Sequence, residues 1–184
     1  MQITETFIQG LLIIEPSIFE DERGYFFESY NEIRYFQKGF DAKFVQDNES
    51  KSVKGVIRGL HYQLAPFAQS KLVRVVQGRV FDVAVDLRKG SPTYGKWFGL
   101  ELNDTDKKQL FIPHGFAHGF SVLSETAIFS YKCDNIYNRE YERSINCNDT
   151  HLKIDWKIVP PQQIITERDK QAPSFENAEM NFIF

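Results

Sequence analysis

Proton transfer near neutral pH is the chemistry this chain is best equipped for, because its histidines stand close to fixed cations. His61 lies in Gly55-Val56-Ile57-Arg58-Gly59-Leu60-His61-Tyr62-Gln63, and Gln69-Ser70-Lys71-Leu72-Val73-Arg74 follows a few residues later. Imidazole is the side chain most easily tuned to take up a proton in that pH range. Taken alone, a single His is more often a core side chain among surface charges. A second block, Ile112-Pro113-His114-Gly115-Phe116-Ala117-His118-Gly119-Phe120, sets two His four residues apart. That spacing suits a metal only on a helix, and Pro113, Gly115 and Gly119 oppose one. A loop that enters a strand fits better. Nor does His61 have a His at the position after next, where Gln63 stands, so a ligand set from His61, His114 and His118 would need assembly across separate strands. Metal binding is not the reading we favour.

These groups need a scaffold, and its signal is period-two alternation. Val80 to Leu87 places Phe81, Val83, Val85 and Leu87 on one face and Val80, Asp82, Ala84 and Asp86 on the other. Lys71 to Val76 precedes it through Gln77-Gly78, which reads as a two-residue hairpin turn. Such a turn would pair Val76 with Arg79 and Lys71 with Ala84, so Lys71, Val73 and Val75 would share a face with Asp82 and Asp86. Pattern alone leaves open whether that face is solvated or holds Lys71 among acids in the interior. Other strands are expected over Leu11 to Pro16, Gly24 to Tyr30, Val56 to Gln63, Trp97 to Leu102, Gln109 to Ile112, Gly119 to Leu123 and Ala127 to Cys133. Many short strands with turn residues between them argue for an all-β sandwich or barrel. A short helix is expected after Tyr30, capped by Asn31. From about Asn148 the chain changes to an irregular tail, in which Trp156, Ile158, Ile164 and Ile165 need burial.

Composition agrees. The 184 residues suit a single domain with a real interior, and 17 Phe and 8 Tyr favour pleated structure. A net charge of -3 with dispersed Lys and Arg excludes the footprint of a nucleic-acid binder. No apolar run is long enough to span a membrane, and the first residues do not read as a signal peptide. Cys133 and Cys147 are expected as free thiols in a soluble, cytoplasmic protein.

Eight segments in order carry a resemblance over nearly the whole chain: Phe19 to Glu28 (FEDERGYFFE), Phe44 to Ser52 (FVQDNESKS), Gly55 to Gln63 (GVIRGLHYQ), Gln69 to Val73 (QSKLV), Phe81 to Arg88 (FDVAVDLR), Ser91 to Trp97 (SPTYGKW), Ile112 to Phe120 (IPHGFAHGF) and Tyr131-Lys132-Cys133. The sequence resembles the dTDP-4-dehydrorhamnose 3,5-epimerases. That resemblance implies an all-β, cupin-type jelly-roll barrel with a few short helices and an irregular C-terminal tail. It also implies one domain over residues 1–184, a homodimer with exchanged N-terminal strands, and no metal or organic cofactor. The implied reaction inverts C3 and C5 of a dTDP-linked 4-keto-6-deoxyhexose on the route to rhamnose. A 4-ketone acidifies the hydrogens on both neighbouring carbons, so each inversion needs a base, a stabilised enolate and an acid on the opposite face.

The resemblance casts His61 as the base, Asp169 as its paired acid, Tyr131 as the opposing proton donor and Lys71 as the enolate stabiliser. It assigns substrate contacts to Arg23, Glu28, Gln46, Asn48, Arg58, His118, Glu142 and Arg168, with Arg23 and Glu28 reaching the partner's site. Arg168 departs from the lysine expected there. Simple alternation would set Arg58 and His61 on opposite faces, whereas the resemblance needs both in one pocket; a bulge or kink at Gly59 is therefore expected. Alternatives are an epimerase that inverts only C3 or only C5, a 3,4-ketoisomerase, a non-catalytic sugar-binding cupin and a metal-dependent dioxygenase-type cupin.

Overall fold

A computed structural model describes residues 1–40 and 43–184. Its strands are β1 (Gln2–Glu5), β2 (Leu12–Glu15), β3 (Ile18–Asp21), β4 (Gly24–Phe27), β5 (Gln46–Val53), β6 (Ile57–Gln63), β7 (Lys71–Gln77), β8 (Arg79–Asp86), β9 (Trp97–Asn103), β10 (Gln109–Ile112), β11 (Phe116–Val122), β12 (Thr126–Cys133) and β13 (Glu142–Ser144). Two α-helices accompany them, α1 (Glu32–Gln37) and α2 (Glu167–Lys170). Asn31 caps α1 by accepting from the Arg34 amide, as its sequence position suggests.

Two sheets face each other in the cupin-like manner of a jelly roll. One has the order β1-β2-β10-β7-β12-β5, the other β13-β6-β11-β8-β9, and β3 and β4 form a separate hairpin. Val73, Val75, Leu110 and Phe129 from the first sheet meet Val80, Ala84, Leu102 and Phe120 from the second in an inter-sheet core. The five-stranded sheet is covered on its other face too. There Leu60, Tyr62, Val83, Val85 and Ala117 pack under the C-terminal segment through Trp156, Phe175 and Phe182. Burial on both sides explains why every residue of β8 after Arg79 is buried, Asp82 and Asp86 included.

The tail is thus a covering layer. The Trp156 indole donates to the Cys147 carbonyl at 2.7 Å. Ile158 and Ile165 are half-buried, whereas Ile164, also expected inside, is exposed and makes a lone bridge with Val56. Among the described residues no helix is long and apolar enough to cross a membrane.

The expected hairpin at Gln77-Gly78 does not form. β7 is paired with β10 and β12, while β8 is paired with β11 and β9, so Gly78 carries the chain around a corner from one sheet to the other. At φ +83 its amide donates to Asp104, and a Cβ there would lie 2.2 Å from the Thr126 carbonyl oxygen. The face assignment survives for most residues, since Lys71, Val73 and Val75 look across the sandwich at Val80, Asp82 and Ala84. Asp86 does not join them, because Arg88, Ser91 and Thr93 hold it.

Candidate active site

The four chemical side chains are drawn from both sheets and from the tail. Strand β6 supplies His61, β7 supplies Lys71 and β12 supplies Tyr131. All three line one cavity of about 250 Å³, together with Asn48, Arg58 and His118. The imidazole therefore enters from the five-stranded sheet and the phenol from the six-stranded one. Lys71 Nζ lies 5.7 Å from the centre of the Tyr131 ring.

Arg58 and His61 share this cavity because β6 is irregular where expected. His61 pairs with His118 and Arg58 with Phe120, so Gly59 and Leu60 together oppose the single residue Gly119. Gly59 sits at φ +124, and a Cβ on it would lie 2.6 Å from Gly119 Cα and 2.7 Å from the His118 carbonyl oxygen. Only glycine fits there. The Arg58 guanidinium reaches Ser52 Oγ at 3.0 Å on the edge strand β5.

Asp169 arrives from α2, a single turn capped by Thr166, and its Oδ1 lies 2.7 Å from His61 Nε2. The His61 side chain is 33% exposed and that of Asp169 5%. Burial opposes the Asp169 charge, but the hydrogen bond and charge of His61, with help from Thr166 and Arg168, hold its carboxyl below the usual range. With Nε2–H donated to this carboxylate, the imidazole lone pair is on Nδ1. Burial raises the Tyr131 phenol, which keeps its proton. Burial also lowers Lys71, against the fields of Cys133, Asp82 and Glu142.

Gln46, Glu142 and Arg168 do not line that cavity. Arg168, next to Asp169 in the chain, meets Glu142 at 2.6 Å, and Tyr137 donates to the same carboxylate at 2.9 Å. Gln46 donates to Asn48 at 3.1 Å and accepts from the Tyr137 amide at 2.8 Å. Arg23 and Glu28 are not brought to the cavity of their own chain. Arg23 pairs with Asp21 on the β3–β4 hairpin, and Glu28 pairs with Arg34. His114 also stays outside, on the loop before β11, bonded to Asp134 at 2.8 Å. Among the described residues no three His, Cys, Asp or Glu side chains converge as metal ligands would. Cys133 and Cys147 are free and buried.

A family profile described as dTDP-4-dehydrorhamnose 3,5-epimerase matches residues 5–177. The chain is 51% identical over 181 residues to the dTDP-4-dehydrorhamnose 3,5-epimerase of Shigella flexneri, covering 97% of this chain and 98% of that one. The chain belongs to the dTDP-4-dehydrorhamnose 3,5-epimerase family. Solved structures agree with this assignment. The enzyme from Elizabethkingia anophelis superposes with a TM-score of 0.91 at 54% identity, over 96% of this chain and 97% of that one. The Legionella pneumophila epimerase, in complex with dTDP-4-keto-L-rhamnose, gives a TM-score of 0.92 at 50% identity, over 96% and 93%.

Three features of this epimerase escaped sequence reasoning. Phe129 stacks on Phe120 at 4.2 Å and lies near His118 at 5.9 Å, forming an apolar wall of the cavity. Its place in the alternating β12 segment gave a face but no role. Glu49 and Ser50 line the cavity from β5, whose run QDNESKSV has too few apolar residues to register as a strand. Tyr137 follows no periodic segment, so nothing in its surroundings marked it.

Proposed function

We propose that this epimerase inverts C3 and C5 of dTDP-4-dehydro-6-deoxy-D-glucose to give dTDP-4-dehydro-L-rhamnose. The observation that carries the reading is the placement of an imidazole and a phenol on facing sheets of one cavity, with the Lys71 amine lining the same cavity. At each carbon, His61 Nδ1 takes the acidic hydrogen as a proton, and the bonding electrons pass to the C4 oxygen as an enolate. Asp169 stabilises the imidazolium that forms. The Lys71 ammonium stabilises the enolate oxygen, a fixed charge aimed where negative charge develops. Tyr131 then delivers its phenolic proton to the opposite face, and the stereocentre is inverted. The overall change moves protons only and needs no redox partner.

Arg58, His118, Gln46 and Asn48 are proposed substrate contacts within the chain, with Glu142 and Arg168 as outlying ones. Guanidinium groups suit the diphosphate, since they bind phosphate oxygens bidentately. Arg23 and Glu28 are proposed to act in a partner's cavity, in a homodimer with exchanged N-terminal strands. Support comes from the hairpin itself, whose outer face exposes Phe19 by 65% and Phe26 by 69%. The whole chain then works as a single domain. Two buried free thiols fit a reducing, cytoplasmic setting.

Turnover of the 4-keto sugar in heavy water tests the reaction. Deuterium at both C3 and C5 of the product is expected. Label at one carbon alone would mean a single inversion, and a different enzyme.

A further inference from the structure

Three buried acids, Asp82, Asp86 and Asp149, have no task in the mechanism above. Of these only Asp82 has a carboxylate oxygen without a hydrogen-bond partner among the described residues. Asp82 lies on β8 between Phe120 and Leu100 as strand neighbours, 0% exposed, on the face whose other members, Val80 and Ala84, belong to the inter-sheet core. Its Oδ2 is 2.9 Å from His118 Nε2. Its Oδ1 is buried and has no hydrogen-bond partner among the described residues. Such a carboxylate is costly, and an apolar side chain would fill the space with less penalty. An idle, buried acceptor in a native core calls for an explanation.

The charges around it supply one. Burial presses the His118 imidazole toward its neutral form, so the bond to His118 does not cancel the Asp82 charge. Burial presses Lys71 in the same direction, toward the amine, and Cys133, Asp82 and Glu142 oppose this through space. Of those three, Cys133 is a buried thiol pushed up to about 11 and so is uncharged. Glu142 is already engaged by Arg168 and Tyr137. Asp82 remains, with its Oδ1 unpartnered among the described residues in the core that separates the two sheets, across from the face that carries Lys71.

We propose that Asp82 is a positioning residue whose carboxylate, fixed by His118 beneath the cavity, keeps Lys71 in the ammonium form. The proposal rests on the reading of Lys71 as enolate stabiliser. A neutral amine would offer the C4 oxygen no charge, and an ammonium in a water-poor cavity without a counter-ion sheds its proton.

The test is a double-mutant cycle with a pH profile, measuring kcat on the dTDP-linked 4-keto-6-deoxyglucose for the wild type, Lys71→Met, Asp82→Asn and the double variant. Activity needs the ammonium, so it falls as pH rises through the Lys71 value. Removal of the Asp82 charge lowers that value and brings the fall to lower pH. Other titratable or charged groups facing Lys71 are Tyr131 and Cys133 from β12, His118 from β11 and Glu49 from β5. Arg58 and His61 face it from β6 and Glu142 from β13. Burial raises both Tyr131 and Cys133, so neither brings a limb down to lower pH.

Asp82→Asn is expected to lower kcat about 10-fold at neutral pH, leave KM within about 2-fold, and move the alkaline limb down by about one pH unit or more. In the Lys71→Met background the same change should cost less than about 2-fold, since the group it serves is gone. An unshifted limb, or effects that multiply in the double variant, overturns the proposal. Wild-type turnover by Lys71→Met would instead overturn the enolate assignment beneath it. Should Asp82→Asn fail to fold, Asp82→Ser removes the charge with a smaller side chain; if neither folds, Asp82 is structural and the proposal falls.

Discussion

The cavity and the outlying candidate contacts are built in different ways. His61, Lys71, His118 and Tyr131 stand on paired strands of the two facing sheets, most of them with partners on both sides. Arg23, Glu28, Glu142 and Arg168 stand on a separate hairpin, on the segment after it, on a three-residue edge strand and on a one-turn helix. Position in the first set is fixed by core packing, whereas the second set depends on local ion pairs in water. The difference teaches where precision is placed: side chains on paired core strands are held to one geometry, and side chains on a hairpin, an edge strand or a one-turn helix tolerate adjustment.

The comparison breaks most visibly at His61. His61→Ala removes the proposed base, and kcat should fall about 10³-fold while the affinity for dTDP stays close to wild type. A steady-state assay paired with nucleotide titration checks both halves. Gly59→Ala strikes the scaffold beneath the same residue. Its Cβ has no room against Gly119 and the His118 carbonyl, so the variant should lose about 2 kcal/mol or more of stability in chemical denaturation. A variant as stable as the parent would mean that the bulge is not what sets Arg58 beside His61. Among the outlying contacts the effect should be smallest and of another kind. Arg168→Ala should raise KM about 10-fold with kcat nearly unchanged, because an exposed charge adds binding without touching the reacting carbons. A loss confined to kcat would instead move Arg168 into the chemistry, through its neighbour Asp169.

How far the sequence reached follows from what alternation encodes. It records which face a residue takes, so Lys71 is correctly grouped with Val73 and Val75, and Asp82 with Val80 and Ala84, while alternation leaves open whether those faces lie inside. It does not record which strand lies alongside, and a Gly-containing two-residue link serves a corner as well as a hairpin. That is why β7 and β8 are misread as partners. Asn31 was legible because capping is local. The kink at Gly59 was legible because two side chains had to meet and only one nearby residue could bend the strand. Polar β5 was not, since an edge strand with one side in water needs few apolar residues. Nor could spacing join Asp169 to His61, which are 108 residues apart; only the family resemblance linked them, and α2 is too short to leave a periodic signal.

The central claim is that the ring of a 4-keto sugar is held between an imidazole on one sheet and a phenol on the other. Tyr131→Phe in heavy water tests it most directly, with recovered sugar analysed for both label and configuration. His61 alone can still remove and return a proton on its own side, so exchange with retained configuration is predicted, and the inverted product should be lost. Inversion at the wild-type rate would contradict the account, because the proton on the far face would then come from another group.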